Sequence, residues 1–316
     1  MAPGLATGPV RIPAGPRAAA PVVAAVVAGV MVALQLRITG DLRDALGDDV
    51  LAALITFATG LVAVSVVVSC RPASRAALSK VRDTPPWTRL GGLGGAALVA
   101  VGAAAAPRIG VALLTIGLVA GQTVGGVAVD RLGLGPGPRQ GITGPRAAGA
   151  LLCLLAVGVS VLGKGARDAD PVLLTLTVLA GVLAAVQQGL NGRVRRVTGD
   201  AGVATLINFG VGSIALLLGL GLREALVGVH IDTWPGLGQW YLYAGGPVGA
   251  VFIAIAATVV HQLGVLRLGL AVTAGQLLGA MVLDATLPGG TGVAVATLAG
   301  ALLTLAAVVV SGRRSR

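Results

Sequence analysis

One five-segment hydrophobic module occurs twice in this chain, and few folds can be built from such a duplication. Residues 28–60 align without gaps on 180–212, with 14 of 33 positions identical, where a composition so rich in Ala, Gly, Val and Leu gives roughly one in ten by chance. The offset there is 152. Residues 91–130 align on 245–284 at an offset of 154, which brings Ala120, Gly121 and Gln122 onto Ala274, Gly275 and Gln276.

Composition sets the solvent in which the modules fold. Hydrophobic residues make up 55% of the chain and charged residues 11%, with a mean hydropathy of +0.92, whereas a soluble domain carries about 25% charged residues. This is the composition of an integral membrane protein. The formal charge of +11 does not indicate a nucleic-acid partner, because aromatics are only 3% and the arginines fall between apolar runs rather than along one amphipathic face. Cys70 and Cys153 have no CxxC pattern and no neighbouring histidine. They are read as packing residues, with neither metal nor cofactor implied.

Ten apolar stretches can be marked, at roughly 21–36, 50–70, 91–106, 109–129 and 147–162 in the first module and 172–190, 203–222, 241–260, 268–283 and 292–310 in the second. Each is near the length at which a helix, rising 1.5 Å per residue, crosses about 30 Å of hydrocarbon. Helices are required because an open strand leaves its amides unsatisfied in lipid. The expected fold class is all-α, an integral membrane protein of ten transmembrane helices. Residues 1–20 are a disordered cytoplasmic tail, 21–166 the first five-helix repeat and 167–312 the second. The first stretch follows Arg11 and Arg17 as a signal peptide would, but its counterpart lies in mid-chain, so it is read as a retained helix.

Five is odd, so a module that begins on one face ends on the other and its copy enters the membrane inverted. The basic residues test this independently: 17 of 23 fall in the two tails and the alternate loops that share one side, Arg71, Arg75, Lys80, Arg82 and Arg89 among them. By the positive-inside rule both termini are cytoplasmic. Trp87, Trp240 and Tyr241 fall at the expected membrane boundaries, where amphipathic rings anchor. Inverted repeats of this kind are the build of secondary transporters.

The motifs around these segments carry a family likeness. GlyVal…AlaLeuGln ending at Gln35 and GlyVal…AlaValGlnGlnGlyLeuAsnGly through Gln187 and Asn191 are each followed by PheXxxXxxGly, at Phe57 and Phe209. TrpXxxXxxLeuGlyGly begins at Trp87, ProArgIleGly at Pro107 and AspArgLeuGlyLeu at Asp130. Together with AlaGlyGln they resemble the YdcZ-like branch of the drug/metabolite transporter superfamily, over about residues 21–310. The resemblance implies an inner-membrane exporter, in the fused form of a branch that also occurs as five-helix units. The chain departs from the pattern where His261 and Gln262 replace Pro107 and Arg108, and where Thr39 and Gly40 stand for Asn191 and Gly192. The two halves have diverged.

Intramembrane polar side chains are costly unless they face the bundle interior, so they are the first site candidates. Gln187 and Asn191, four residues apart, share one helix face, with Gln188 beside them and Asn208 on the next helix. Gln122 and Gln276 occupy matched positions, each eight residues before a carboxylate, Asp130 or Asp284. Gln35 completes the expected substrate-binding set. The topology puts Gln187, Asn191, Asn208 and Asp130 toward the cytoplasm and Gln35, Thr56 and Asp284 toward the outside, which predicts one polar cluster near each mouth. Asp130, Asp284 and His261 are the candidates for coupling or gating. Asp130 is read as a solvated helix-end residue kept ionised by Arg131 and structural or gating in role, and Asp284, followed by Ala285, as the proton carrier if protons are coupled. No carboxylate sits at the centre of a helix, unlike the small multidrug pumps with their buried glutamate.

The expected function is secondary-active transport of a small metabolite or drug-like molecule by alternating access, in an inner membrane. The protein acts as a monomer or homodimer, and proton coupling stays open. A non-transporting membrane partner or lipid-handling protein is the alternative. An enzyme is not indicated: there is no HisGluXxxXxxHis, and only two histidines, His230 and His261, are present. The segment 158–165 resembles a phosphate loop but lacks Ser or Thr after Lys164. The topology predicts that a cysteine at Ala169 reacts with an impermeant thiol reagent in intact cells and one at Ser315 does not. The reverse pattern contradicts the inverted arrangement.

Overall fold

A computed structural model describes residues 16–161, 170–228, 231–286 and parts of 302–311. Residues 1–15 of the expected tail and most of the stretch 292–310 lie outside the described residues, whereas residues 16–20, expected in the disordered tail, are helical and open α1. Among those described the chain forms helices α1 (Pro16–Leu46), α2 (Asp49–Cys70), α3 (Pro72–Ser79), α4 (Gly92–Leu132), α5 (Gly144–Val161), α6 (Pro171–Thr198), α7 (Ala201–Val227), α8 (Gly245–Leu263) and α9 (Val265–Thr286), with no strand. Six of them, α1, α2, α6, α7, α8 and α9, contain spans long and apolar enough to cross a membrane, and α5 carries a shorter apolar stretch.

Helices α1 and α6 run on well past their apolar segments, and the reason is local. In α1 the extension carries Arg37 and Asp41, paired at 3.1 Å, an i,i+4 pair of the kind that supports a helix outside lipid. Both helices then end at a glycine in the left-handed conformation, Gly47 at φ 76° and Gly199 at φ 77°, where a side chain is disfavoured. The residue after each glycine is an aspartate that caps the next helix. Asp48 accepts from the Leu51 amide at 2.8 Å and Asp200 from the Val203 amide at 2.9 Å. Each cap also ties in a further helix, Asp48 through Arg223 of α7 at 2.9 Å and Asp200 through the Ser74 hydroxyl of α3 at 2.7 Å.

The two sequence halves embrace each other. Helix α1 packs chiefly on α8 and α9, α6 on α4, and α2 on α7. Glycines make the approach possible. A Cβ at Gly275 would overlap the carbonyl of Val26, and one at Gly29 the carbonyl of Val272. The same pair of collisions recurs between α4 and α6, where Gly121 meets the carbonyl of Val178 and Gly181 that of Leu118. These are small-residue crossings, in which close backbone approach supplies the packing that lipid cannot. Between α2 and α7 the rings of Phe57 and Phe209 meet at 5.1 Å, tilted by 47°.

Helix α4 replaces two separate expected segments, 91–106 and 109–129, with helical structure throughout. It nevertheless doubles back. Gly94 lies against Leu183 and Gln187, and Gly125 against Val182 and Ala185, on the same part of α6, whereas a straight helix would carry those two glycines about 47 Å apart at 1.5 Å per residue. In the second half the matching reversal falls at Gly264, φ 75°, so Gly249 and Gly279 both reach α1, at Gln35 and at Ala33.

The crossings yield a stability prediction. Leucine at Gly121 or Gly275 should reduce the yield of folded protein several-fold and lower its thermal midpoint. Alanine at Gly210, where nothing lies within 4 Å of the added carbon, should leave both unchanged. Equal behaviour of the three variants would contradict backbone contact at the crossings.

Candidate functional site

Where α1, α4, α6, α8 and α9 converge, with Phe57 of α2 and Phe209 of α7 in the wall, there is a cavity of about 80 Å³. Six carboxamides border it, those of Gln35, Gln122, Gln187, Gln188, Asn191 and Gln276, and the remaining lining residues are Val, Leu, Ile, Phe, Ala and Gly. The wall is built from repeat-equivalent pairs. At an offset of 152 these are Val32 with Ala184, Gln35 with Gln187, Leu36 with Gln188 and Phe57 with Phe209; at 154 they are Leu98 with Phe252, Val99 with Ile253 and Gln122 with Gln276.

The sequence predicts two polar clusters, one at each mouth; the structure brings Gln187 and Asn191 of one and Gln35 of the other to a single cavity, with Asn208 behind them, while Asp130 and Thr56 do not border it. The cause is the pair of glycine crossings. Gly275 and Gly121 directly precede Gln276 and Gln122, so a crossing at the glycine sets the glutamine against the other half. Gln35 and Gln187 then lie within two turns of Gly29 and Gly181 on the crossing partners.

The two halves use these amides differently. In the second half Gln187 Nε2 donates to Asn208 Oδ1 at 3.3 Å, and Asn208 Nδ2 donates to Asn191 Oδ1 at 3.1 Å. Asn208 is fully buried behind the wall and braces the other two. At the equivalent positions of the first half stand Thr39 and Thr56, whose hydroxyls lie 3.1 Å apart, with Thr56 donating to the Ala52 carbonyl. That leaves Gln35 outside any such network. Sequence reasoning missed Phe57, Phe252, Leu98, Val99 and Ile253 as wall residues; their pairing at the repeat offsets was the available signal.

Asp130 corrects an expectation. It is not a solvated helix end: it is 5% exposed and ion-paired with Arg146 of α5, while Arg131 is exposed. Its oxygens also accept from the amides of Val265 and Leu266 at 2.8 and 3.2 Å, capping α9 directly after the Gly264 reversal. A carboxylate there suits the positive end of the helix. Arg146 donates as well to Gln140, so one buried carboxylate joins α4, the following loop, α5 and α9. Beside it Arg193 holds the carbonyls of Gly133 and Gly135 and lies 5.1 Å from the centre of the Trp87 ring. His261 is exposed, 3.5 Å from Arg195, and does not border the cavity. The side chain of Asp284 lies outside the described residues.

Removing the Asp130 carboxylate strands a buried cation, which costs about 3–5 kcal/mol. Asp130→Ala should therefore lower the thermal midpoint of the purified protein sharply, and adding Arg146→Met should restore the part due to the stranded cation but not the part due to the unmet amides of Val265 and Leu266. A single variant as stable as the parent would contradict the buried pair.

The comparisons with known proteins bear on the whole chain. No curated protein matches it. Thirteen chains of solved structures do, one of them described only as "Crystal structure of protein", with a TM-score of 0.65 at 22% identity over 95% of this chain and 97% of that one. At that identity the likeness speaks for the fold alone. The model of the family described as "Putative inner membrane exporter, YdcZ" matches twice, at residues 20–159 and 172–310. Those two matches account for most of the sequence, one per half, and the chain belongs to the YdcZ family of inner-membrane exporters, in its two-repeat form.

Proposed function

We propose that this protein is a secondary-active transporter that carries a small solute through the central cavity by alternating access, from the cytoplasm outward. The observation that carries this reading is the wall of repeat-equivalent pairs. Two inverted halves that present equivalent positions to one chamber can exchange conformations, and each exchange turns the chamber toward the other face. The folded-back α4 supplies two membrane passes and α8 with α9 the matching two, so that α5 and the segment 292–310 complete ten. Both termini are then cytoplasmic, as the basic residues direct. Asp130 is committed to Arg146 and α9, which leaves Asp284 as the carboxylate to examine for proton coupling.

Intramembrane amides that bind solute are distinguishable from amides that only pack helices. Gln122 and Gln276 have no hydrogen bond to the described residues, and even a lost interhelical bond in a membrane costs only about 0.6 kcal/mol on average, so Gln122→Ala and Gln276→Ala should leave folded yield nearly unchanged. In proteoliposomes preloaded with cell metabolite extract, counterflow should fall at least tenfold in each variant. Full counterflow in the double variant would place the solute path elsewhere.

A further inference from the structure

We infer that the solute of this cavity is uncharged and carries hydrogen-bond donors as well as acceptors: a compact molecule of the amide, urea or polyol class, and neither a lipophilic cation nor a carboxylate. The inference rests on the transport reading only for the cavity being a solute chamber. Among the described residues that border it none is charged, so an ion entering would leave water without a counter-ion to meet it. The same wall offers six carboxamides, each able to donate and to accept.

Most of those amides are unengaged. Gln187 and Asn191 are tied through Asn208, whereas Gln35, Gln122 and Gln276 have no hydrogen bond to the described residues. Gln188 is the sharpest case. It is 8% exposed, and its Oε1 is buried without a hydrogen-bond partner. A buried acceptor left unmet is costly, and because Gln188 borders the cavity, a turn of its side chain brings that oxygen to a donor bound there. A carboxylate brings only acceptors, and a quaternary cation brings no donor. Phe57, Phe209 and Phe252 also border the cavity, and aromatic rings attract cations, which makes a quaternary cation the rival to exclude.

The test uses the purified full-length protein and two sets of small probes at matched concentration: acetamide, urea and glycerol as neutral solutes, tetramethylammonium and acetate as ions. At least one neutral probe should raise the thermal midpoint by about 2 °C or more, the ions should not, and Gln188→Met, which removes the acceptor at similar volume, should abolish the shift. Stabilisation by either ion alone, by no probe at all, or by a neutral probe undiminished in Gln188→Met overturns the inference. Flux separates it from the transport reading. A neutral probe that binds through Gln188 yet does not cross the proteoliposome membrane overturns transport and keeps the ligand class, while flux of an ion without flux of any neutral probe does the opposite.

Discussion

Reciprocal glycine crossings, α1 on α9 at Gly29 and Gly275 and α6 on α4 at Gly181 and Gly121, bring helix backbones into contact and set the frame on which the cavity is built. In lipid there is little hydrophobic gain in bringing helices together, so association depends on close packing and on polar contacts between helices. Glycine supplies the first by letting a carbonyl sit where a Cβ would be. Because the two crossings join opposite halves, neither half packs chiefly upon itself. The membrane protein is one interlocked body, with its polar side chains drawn to the seam between the halves.

The seam then sorts its polar groups by the cost of leaving them unmet. At its rim the charges are spent on structure: Asp48 with Arg223 and Asp130 with Arg146 each cap a helix and hold a second element. Among the described residues that border its central cavity no charge remains, and the polar groups are amides. Two of these, Gln187 and Asn191, are braced through Asn208, whereas in the first half a threonine pair stands for Asn191 and Asn208 and Gln35 lies outside it. The duplication thus preserved the frame of the cavity and let its chemistry become unequal.

Much of this was legible in the sequence because it repeats. The offset that aligned Gln35 with Gln187 and Phe57 with Phe209 also aligned Gly47 with Gly199 and Asp48 with Asp200, and these form the same turn and cap twice. Most of the apolar segments were placed well, since lipid imposes a length. Their polar extensions in α1 and α6 were not, because residues such as Arg37 and Asp41 stay helical through i,i+4 pairing that hydropathy does not register. The partner of Asp130 was misread as its neighbour Arg131. Arg146 comes from beyond a Gly- and Pro-rich loop of no regular period, so no spacing rule pointed to it. Nor does a sequence disclose a crossing angle, and the crossing is what brings Gln35 to the same cavity as Gln187 and Asn191.

The central claim is that this one cavity serves both faces of the membrane in turn. Val99 lines it, so the direct test is a cysteine at that position, in a chain with Cys70 and Cys153 replaced by alanine, exposed to an impermeant thiol reagent in right-side-out and inside-out vesicles. The account predicts modification from both sides, each protected when a transported solute is held in excess on the opposite side. Modification from one side only, whatever the solute gradient, would contradict it.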